Sequence, residues 1–214
     1  SATKWLGGGG RSLAGLVVDC GVSKEKLKAS ALKKIEPQFR QMTFLARCRK
    51  LRTNKGAILA PFNAFLIQMG IETLALRVQK QCDNSLALAT FLEAHLAIKT
   101  VNYPGLKNSP YYETAKTQFK NGFGGLLTMR LGSKDKAFKF IHALKLCKNV
   151  TNVGDLKTIV VHPASTIYRN CSEDEKTMIG AFEDLVRVSV GIEHIDDIKQ
   201  DFLQALETLK DSKL

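Results

Sequence analysis

Short apolar runs separated by helical stripes constrain this chain more than any other feature of its sequence. Leu127, Met129 and Leu131 alternate with Thr128 and Arg130, the pattern of a strand with one covered face. Ile159 to Val161 reads as a strand buried on both sides, closed by His162-Pro163, and Leu185 to Val190 reads as a further strand. Between them, Leu88, Phe91, Leu92 and His95 fall at helical spacing, as do Phe140, Ile141 and Leu144. Strands that alternate with helices predict an α/β fold. Thr100 to Tyr103 reads as extended, with a turn at Pro104-Gly105. Ser172 and Glu175 have capping-box spacing ahead of a short helix. The last helix opens on Asp196-Asp197, which suits the positive end of a helix, and is predicted to bury Ile195, Ile198, Phe202 and Leu209.

The first third of the chain reads differently. Ala14 to Val18 is a continuous apolar run, predicting one more strand buried in a sheet. Val22 to Lys55 is polar and basic, helical in parts, and interrupted at Pro37. Pro61 suits the first turn of a long helix. Phe62, Phe65, Leu66, Met69, Thr73 and Leu76 follow at helical spacing and predict one buried stripe.

With 214 residues, 44% of them hydrophobic, the chain can bury a substantial core. No apolar run is long enough to span a bilayer. Cys20, Cys48, Cys82, Cys147 and Cys171 are scattered, odd in number and free of any CxxC spacing. That argues for reduced thiols in a cytoplasmic protein and against a disulfide framework or a metal site. The formal net charge is +12, much of it in Lys24 to Lys34 and Arg47 to Lys55. Such stretches suit a polyanion or a solvated helix face. No aromatics are interleaved for stacking, so the solvated face is favoured and nucleic acid is not expected as a partner.

Residues 1 to 11, SATKWLGGGGR, hold the first candidate chemistry. Lys4 lies behind the hydroxyls of Ser1 and Thr3 and ahead of four glycines. Hydroxyls can donate to phosphate oxygens, and glycines let the backbone turn and approach a cofactor closely. A lysine in such a setting can form an imine once burial or a cationic neighbour lowers its pKa. A flexible surface loop is the alternative. Arg187 interrupts the strand LVRVSV, so its guanidinium meets either a carboxylate ligand or a structural partner such as Asp184 or Glu193. Asn152 to Asp155 reads as a turn that serves a ligand or merely shapes a loop. His162 reads as a satisfied core histidine. No serine or cysteine is spaced from a histidine as a hydrolase requires.

Taken together these segments resemble the pyridoxal-phosphate enzymes of cysteine and methionine metabolism, in particular the O-acetylhomoserine sulfhydrylases. The matching stretches are SATKWLGG, Ala60 to Arg77, Val101 to Leu106, Phe123 to Thr128, Asn152 to Thr166 and Leu185 to Ile198, in the family's order. The resemblance implies that Lys4 holds pyridoxal 5'-phosphate as an imine and moves protons, and that Ser1 and Thr3 bind the phosphate. It implies that Arg187 clamps the substrate α-carboxylate, with Asn152 beside it. The implied reaction replaces the acetate of O-acetyl-L-homoserine with sulfide or a thiol; a γ-lyase or cystathionine-forming relative shares the same residues. A catalytically silent fragment that associates with an intact partner is the reading from another class. The chain departs from the family at Gly9, where histidine or glutamine is usual, and at Gln79-Lys80-Gln81, in place of a charged run ending Arg-His.

The resemblance also implies a fold. Residues 1–78 match the C-terminal end of a PLP-binding large domain of the fold type I, aminotransferase-like class, and residues 79–214 match a complete small α/β domain. In the family, upstream residues supply the ring stacked on the cofactor and the aspartate at its pyridine nitrogen. The expected partners are therefore a small amino acid, a thiol, and further copies of the chain (a tetramer in the family) or a complementary N-terminal half.

Overall fold

A computed structural model describes residues 1–19 and 44–209. The basic segment Lys24 to Lys34, Pro37 and Cys20 lie outside the described residues. Among the described residues three helices come first: α1 (Phe44–Lys55), α2 (Pro61–Glu72) and α3 (Leu74–Glu93). They are followed by β1 (Thr100–Asn102), α4 (Tyr112–Gln118), β2 (Leu126–Arg130) and α5 (Lys134–Ala143). The chain closes with β3 (Lys148–Asn149), β4 (Ile159–Val161), α6 (Glu173–Met178), β5 (Leu185–Ser189) and α7 (Ile195–Glu207).

The strands form one sheet in the order β1-β2-β5-β4-β3. Its pairings are antiparallel except for the parallel pair of β3 with β4. Alternation in the strands gives the sheet two unlike faces. Leu127, Met129, Val160, Val186 and Val188 are buried in one core cluster with Leu88 and Leu92 of α3, Phe140 of α5 and Phe202 of α7. The rings of Phe140 and Phe202 meet edge-on at 5.2 Å. On the opposite face a cross-strand row runs from Asn102 through Thr128 to Arg187 and Val161. The strand readings at 100–103, 127–131, 159–161 and 185–190 hold to within a residue or so.

Helix ends follow from local chemistry. Both bonds of the predicted capping box form between Ser172 and Glu175 at the start of α6. Asp196 and Asp197 occupy the first turn of α7, where the helix dipole favours them. On the inner side of α7, buried Asp201 accepts hydrogen bonds from the backbone N–H groups of Lys145, Leu146 and Cys147. These bonds tie α7 to the end of α5.

Three expectations need correction. Ala14 to Val18 forms no strand: Leu16, Val17 and Val18 are exposed, Val18 at 79%, and among the described residues only Ala14 makes backbone bonds, to Ala2 and Thr3. An apolar run becomes a buried strand only where a neighbouring ladder receives it, and none of the described strands lies alongside. The stripe of Phe62, Phe65, Met69 and Leu76 is likewise exposed, Leu76 at 75%. The buried line is Ile67, Gly70 and Arg77, because α2 turns its glycine toward the loop at Leu6 and Gly7. The single long helix expected after Pro61 breaks at Thr73 into α2 and α3.

Candidate active site

The loop from Ser1 to Gly10 is held by its own backbone and by α2 and α3. Gly7 N–H donates to the Ala2 carbonyl and Gly8 N–H to that of Lys4, each at 2.9 Å. Gly8, Gly9 and Gly10 have φ of 60°, 82° and 65°, a region costly to L side chains. This gives a backbone reason for glycine at position 9. Arg77 clasps the loop from below. Its guanidinium donates to the carbonyls of Trp5 at 3.0 Å and Gly70 at 2.5 Å, and to Thr73 Oγ1 at 3.0 Å. Burial, and then the charge of Arg11, pull its pKa below the usual guanidinium value.

Trp5 carries the loop across to the sheet. A Cβ added at Gly154 would lie 2.5 Å from Trp5 Cδ2, so only glycine lets the indole lie this close to the backbone. The indole Nε1–H donates to Gln81 Oε1 at 3.1 Å, and Gln81 Nε2 donates to the Asp155 carbonyl at 2.7 Å. Gly154 N–H in turn donates to Ser189 Oγ at 2.9 Å, anchoring the 152–155 loop to β5. Gly10 adjoins the same loop: a Cβ there would sit 3.9 Å from Asn152 Nδ2 and Asp155 Oδ2.

Arg187 lies on the polar face of β5, two residues before Ser189. Its Nη2 donates to the Asn152 carbonyl at 3.1 Å. Neither acid considered as its structural partner is available. Asp184 pairs with Arg130 at 2.7 Å, and Glu193 accepts from Thr158 N–H and Oγ1–H. Arg187 Nε and Asn152 Oδ1 are buried with no hydrogen-bond partner among the described residues. Burial lowers the guanidinium's pKa, partly offset by Tyr168. Arg187, Tyr168, Thr128 and Asn102 line a cavity of about 600 Å³ on this face. A half-buried cation with an unpartnered donor and no acid partner among the described residues has the chemistry that a carboxylate would complete.

The structure thus joins Arg187 directly to Asn152, and links both through Trp5 to the segment that carries Lys4. Lys4 is half-buried and forms no ion pair among the described residues. Ser1 is exposed. Thr3 is buried; its Oγ1 accepts from Ala14 N–H at 2.9 Å and donates to the Ala14 carbonyl at 3.3 Å. His162 is the satisfied core histidine expected, its ring nitrogens bonded to Ser165 Oγ and the Glu183 carbonyl. Sequence reasoning named Gln81 only as part of a departure from the family and did not single out Trp5, Arg77 or Ser189. Arg77 and Gln81 carried one signal, polar side chains on the stripe that continues Ile67 and Gly70.

This donor set fits a group bearing an aldehyde and a phosphate. The unpaired Lys4 amine, the glycine cradle and the loosely held Thr3 proton suit the cofactor, while the orphaned Arg187 Nε suits an amino acid's carboxylate. Among the described residues no cluster of three or more His, Cys, Asp or Glu is placed to hold a metal ion, and no helix is long and apolar enough to cross a membrane.

Over residues 1–207 the sequence matches the family described as Cys/Met metabolism PLP-dependent enzyme. It is 40% identical to the homocysteine synthase of Schizosaccharomyces pombe, over 97% of this chain and 52% of the relative. It is 37% identical to O-acetyl-L-homoserine sulfhydrylase 1 of Thermus thermophilus, over 96% of this chain and 52% of the relative. The chain spans about half the length of these curated relatives. Among solved structures, an O-acetylhomoserine (thiol)-lyase described from Campylobacter jejuni, with N'-pyridoxyl-lysine-5'-monophosphate, is similar at a TM-score of 0.82 and 31% identity, covering 97% of this chain and 52% of that one. The metB structure from Corynebacterium glutamicum is similar at 0.80 and 32%, covering 98% of this chain and 48% of that one.

Proposed function

The chain belongs to the Cys/Met metabolism PLP-dependent enzymes, and from that premise we propose that it carries the lysine and the carboxylate clamp of an O-acetylhomoserine sulfhydrylase. The proposed reaction replaces the acetate of O-acetyl-L-homoserine with sulfide or a thiol, giving homocysteine or methionine. The observation that carries the reading is Arg187: half-buried, bonded to the Asn152 carbonyl, unpaired at Nε and without an acid partner among the described residues.

Pyridoxal phosphate, when bound, supplies an electron sink for the substrate carbons. Lys4 Nζ holds the cofactor and then moves the proton at the substrate's Cα. Ser1 and Thr3 donate hydroxyl protons to the phosphate, Thr3 by exchanging its 3.3 Å bond to the Ala14 carbonyl for a phosphate oxygen. Arg187 grips the α-carboxylate with its guanidinium, and the Asn152 carbonyl fixes Nη2 from behind. The exposed Leu16, Val17, Val18, Phe62, Phe65 and Leu76 support association with a complementary N-terminal half or with further copies of the chain. Cys48, Cys82, Cys147 and Cys171 are free thiols, which supports a reducing compartment such as the cytoplasm.

The test is borohydride reduction of the chain with pyridoxal phosphate, followed by peptide mass mapping. A cofactor adduct confined to the peptide containing Lys4 is expected, and label spread over surface lysines refutes the assignment. With an N-terminal half supplied, acetate release without α-keto acid is expected from O-acetyl-L-homoserine and sulfide. Keto-acid release instead identifies a γ-lyase, the reading that similarity to a cystathionine gamma-lyase structure from Lactobacillus plantarum favours.

A further inference from the structure

Gln81 is the side chain through which the Lys4 segment meets the loop that holds Arg187. It lies on α3, is 0% exposed, and uses one atom on each side. Its Oε1 accepts the Trp5 indole proton at 3.1 Å, and its Nε2 donates to the Asp155 carbonyl at 2.7 Å. Trp5 directly follows Lys4. Asp155 follows Gly154, whose N–H is held by Ser189 on the strand of Arg187, and lies three residues after Asn152, whose carbonyl holds Arg187 itself. Gly125 lies against the other side of Gln81, where an added Cβ would come within 3.3 Å of Gln81 Cβ.

We propose that Gln81 is a positioning residue that sets the spacing between Lys4 and Arg187 by bridging Trp5 to the 152–155 loop. The assignment rests on the roles proposed above for those two residues. An amide suits this bridge because it offers one acceptor and one donor at every pH. A neutral imidazole of the right tautomer can imitate it. A protonated imidazole cannot, since it has two donors and no acceptor for the indole N–H. A leucine fills the volume and leaves both partners unpaired in a buried site.

Trp5 is the chain's one tryptophan, so intrinsic fluorescence reports on this contact directly. In Gln81→Leu, emission is expected to move from the wild-type wavelength, to the red where the unpaired indole swings out to water, and borohydride trapping of pyridoxal phosphate at Lys4 to slow about tenfold or more, as for a buried donor left unpaired. In Gln81→His, both readouts are expected to match the wild type above about pH 7.5 and to fall toward the Gln81→Leu values near pH 5.5. Lys4 beside Trp5, Arg77 on the Trp5 carbonyl, Cys82 next along α3 and Asp155 are common to wild type and variants. The difference between the pH profiles therefore belongs to residue 81. Circular dichroism of the sheet and core helices should be unchanged throughout, which separates misplacement from unfolding. Wild-type emission and trapping retained in Gln81→Leu, or a Gln81→His profile parallel to the wild type, would overturn the assignment. Absence of trapping in the wild type strikes instead at the proposed function, and the fluorescence arm still decides whether Gln81 holds Trp5.

Discussion

At the scale of single residues, the informative groups are those whose bonding is incomplete or overcomplete. Arg187 lacks an acid partner, and its planar fork is what a carboxylate needs. Arg187→Lys keeps the charge but loses the fork. It is expected to raise KM for the amino acid by about tenfold to a hundredfold, with a smaller change in kcat, in steady-state assays of the reconstituted enzyme. Asp201 is the opposite case, a buried carboxylate with three backbone donors. Burial pushes its pKa up, but the hydrogen bonds from Cys147, Lys145 and Gln204 outweigh it, leaving the value below the ordinary 3.8. Its folded pKa is depressed, so its contribution to stability is full above about pH 4 and is lost as pH falls through the lower folded value. Asp201→Asn is expected to cost about 1–3 kcal/mol at pH 7, with a flatter acid limb, measured by urea unfolding across pH. The partner Cys147 thiol is pushed far above its usual range by burial and then by Asp201, so it stays protonated. Of these two sites, Arg187 was legible as a charge interrupting an apolar strand. Asp201 was not, because an acid in a helix looks the same whether water or three amides surround it.

At the scale of elements, the contact of α2 with the Lys4 loop depends on a missing side chain. A Cβ at Gly70 would lie 2.2 Å from the Gly7 carbonyl oxygen and 2.7 Å from that of Leu6. Alanine favours a helix interior over glycine by about 1 kcal/mol, so any damage from Gly70→Ala must come from this lost approach. The variant is expected to red-shift Trp5 emission and to lower the melting temperature, while far-ultraviolet helicity is kept or slightly raised. Unchanged emission would mean that the loop tolerates a wider gap. Helix α2 was found from Pro61 and its apolar spacing, but the wrong face was expected inside. Phe62, Phe65 and Met69 give the stronger hydrophobic stripe, yet steric fit at Gly70 decides which face meets the loop. Strands β2, β4 and β5 were read correctly because the core helices take up the faces that their patterns predict. Strand β3, two residues long, carries no periodicity to read.

At the scale of the whole molecule, the core lies between the sheet and α3, α5 and α7, while many exposed apolar side chains lie among the described residues up to Leu76, with Leu96 and Met178 exposed beyond them. We propose that the self-sufficient unit includes α3 whole, and so begins at Leu74 rather than within that helix. Limited proteolysis is expected to remove the segments before Thr73 first and to leave a resistant product that retains the five strands. Equal protection of residues 1–73 would refute that division. Sequence alone determined the α/β class, most of the sheet, the helix caps and the residue types of the candidate site, because periodicity, capping and hydrogen-bonding chemistry are local properties. Tertiary structure decided which apolar stripe is buried, that Ala14 to Val18 finds no ladder, and that Asp184 and Glu193 are taken by other partners. It also decided that Trp5, Gln81 and Gly154 join Lys4 to Arg187. These outcomes depend on close approach between groups distant along the chain, and such distances are set only when the elements dock.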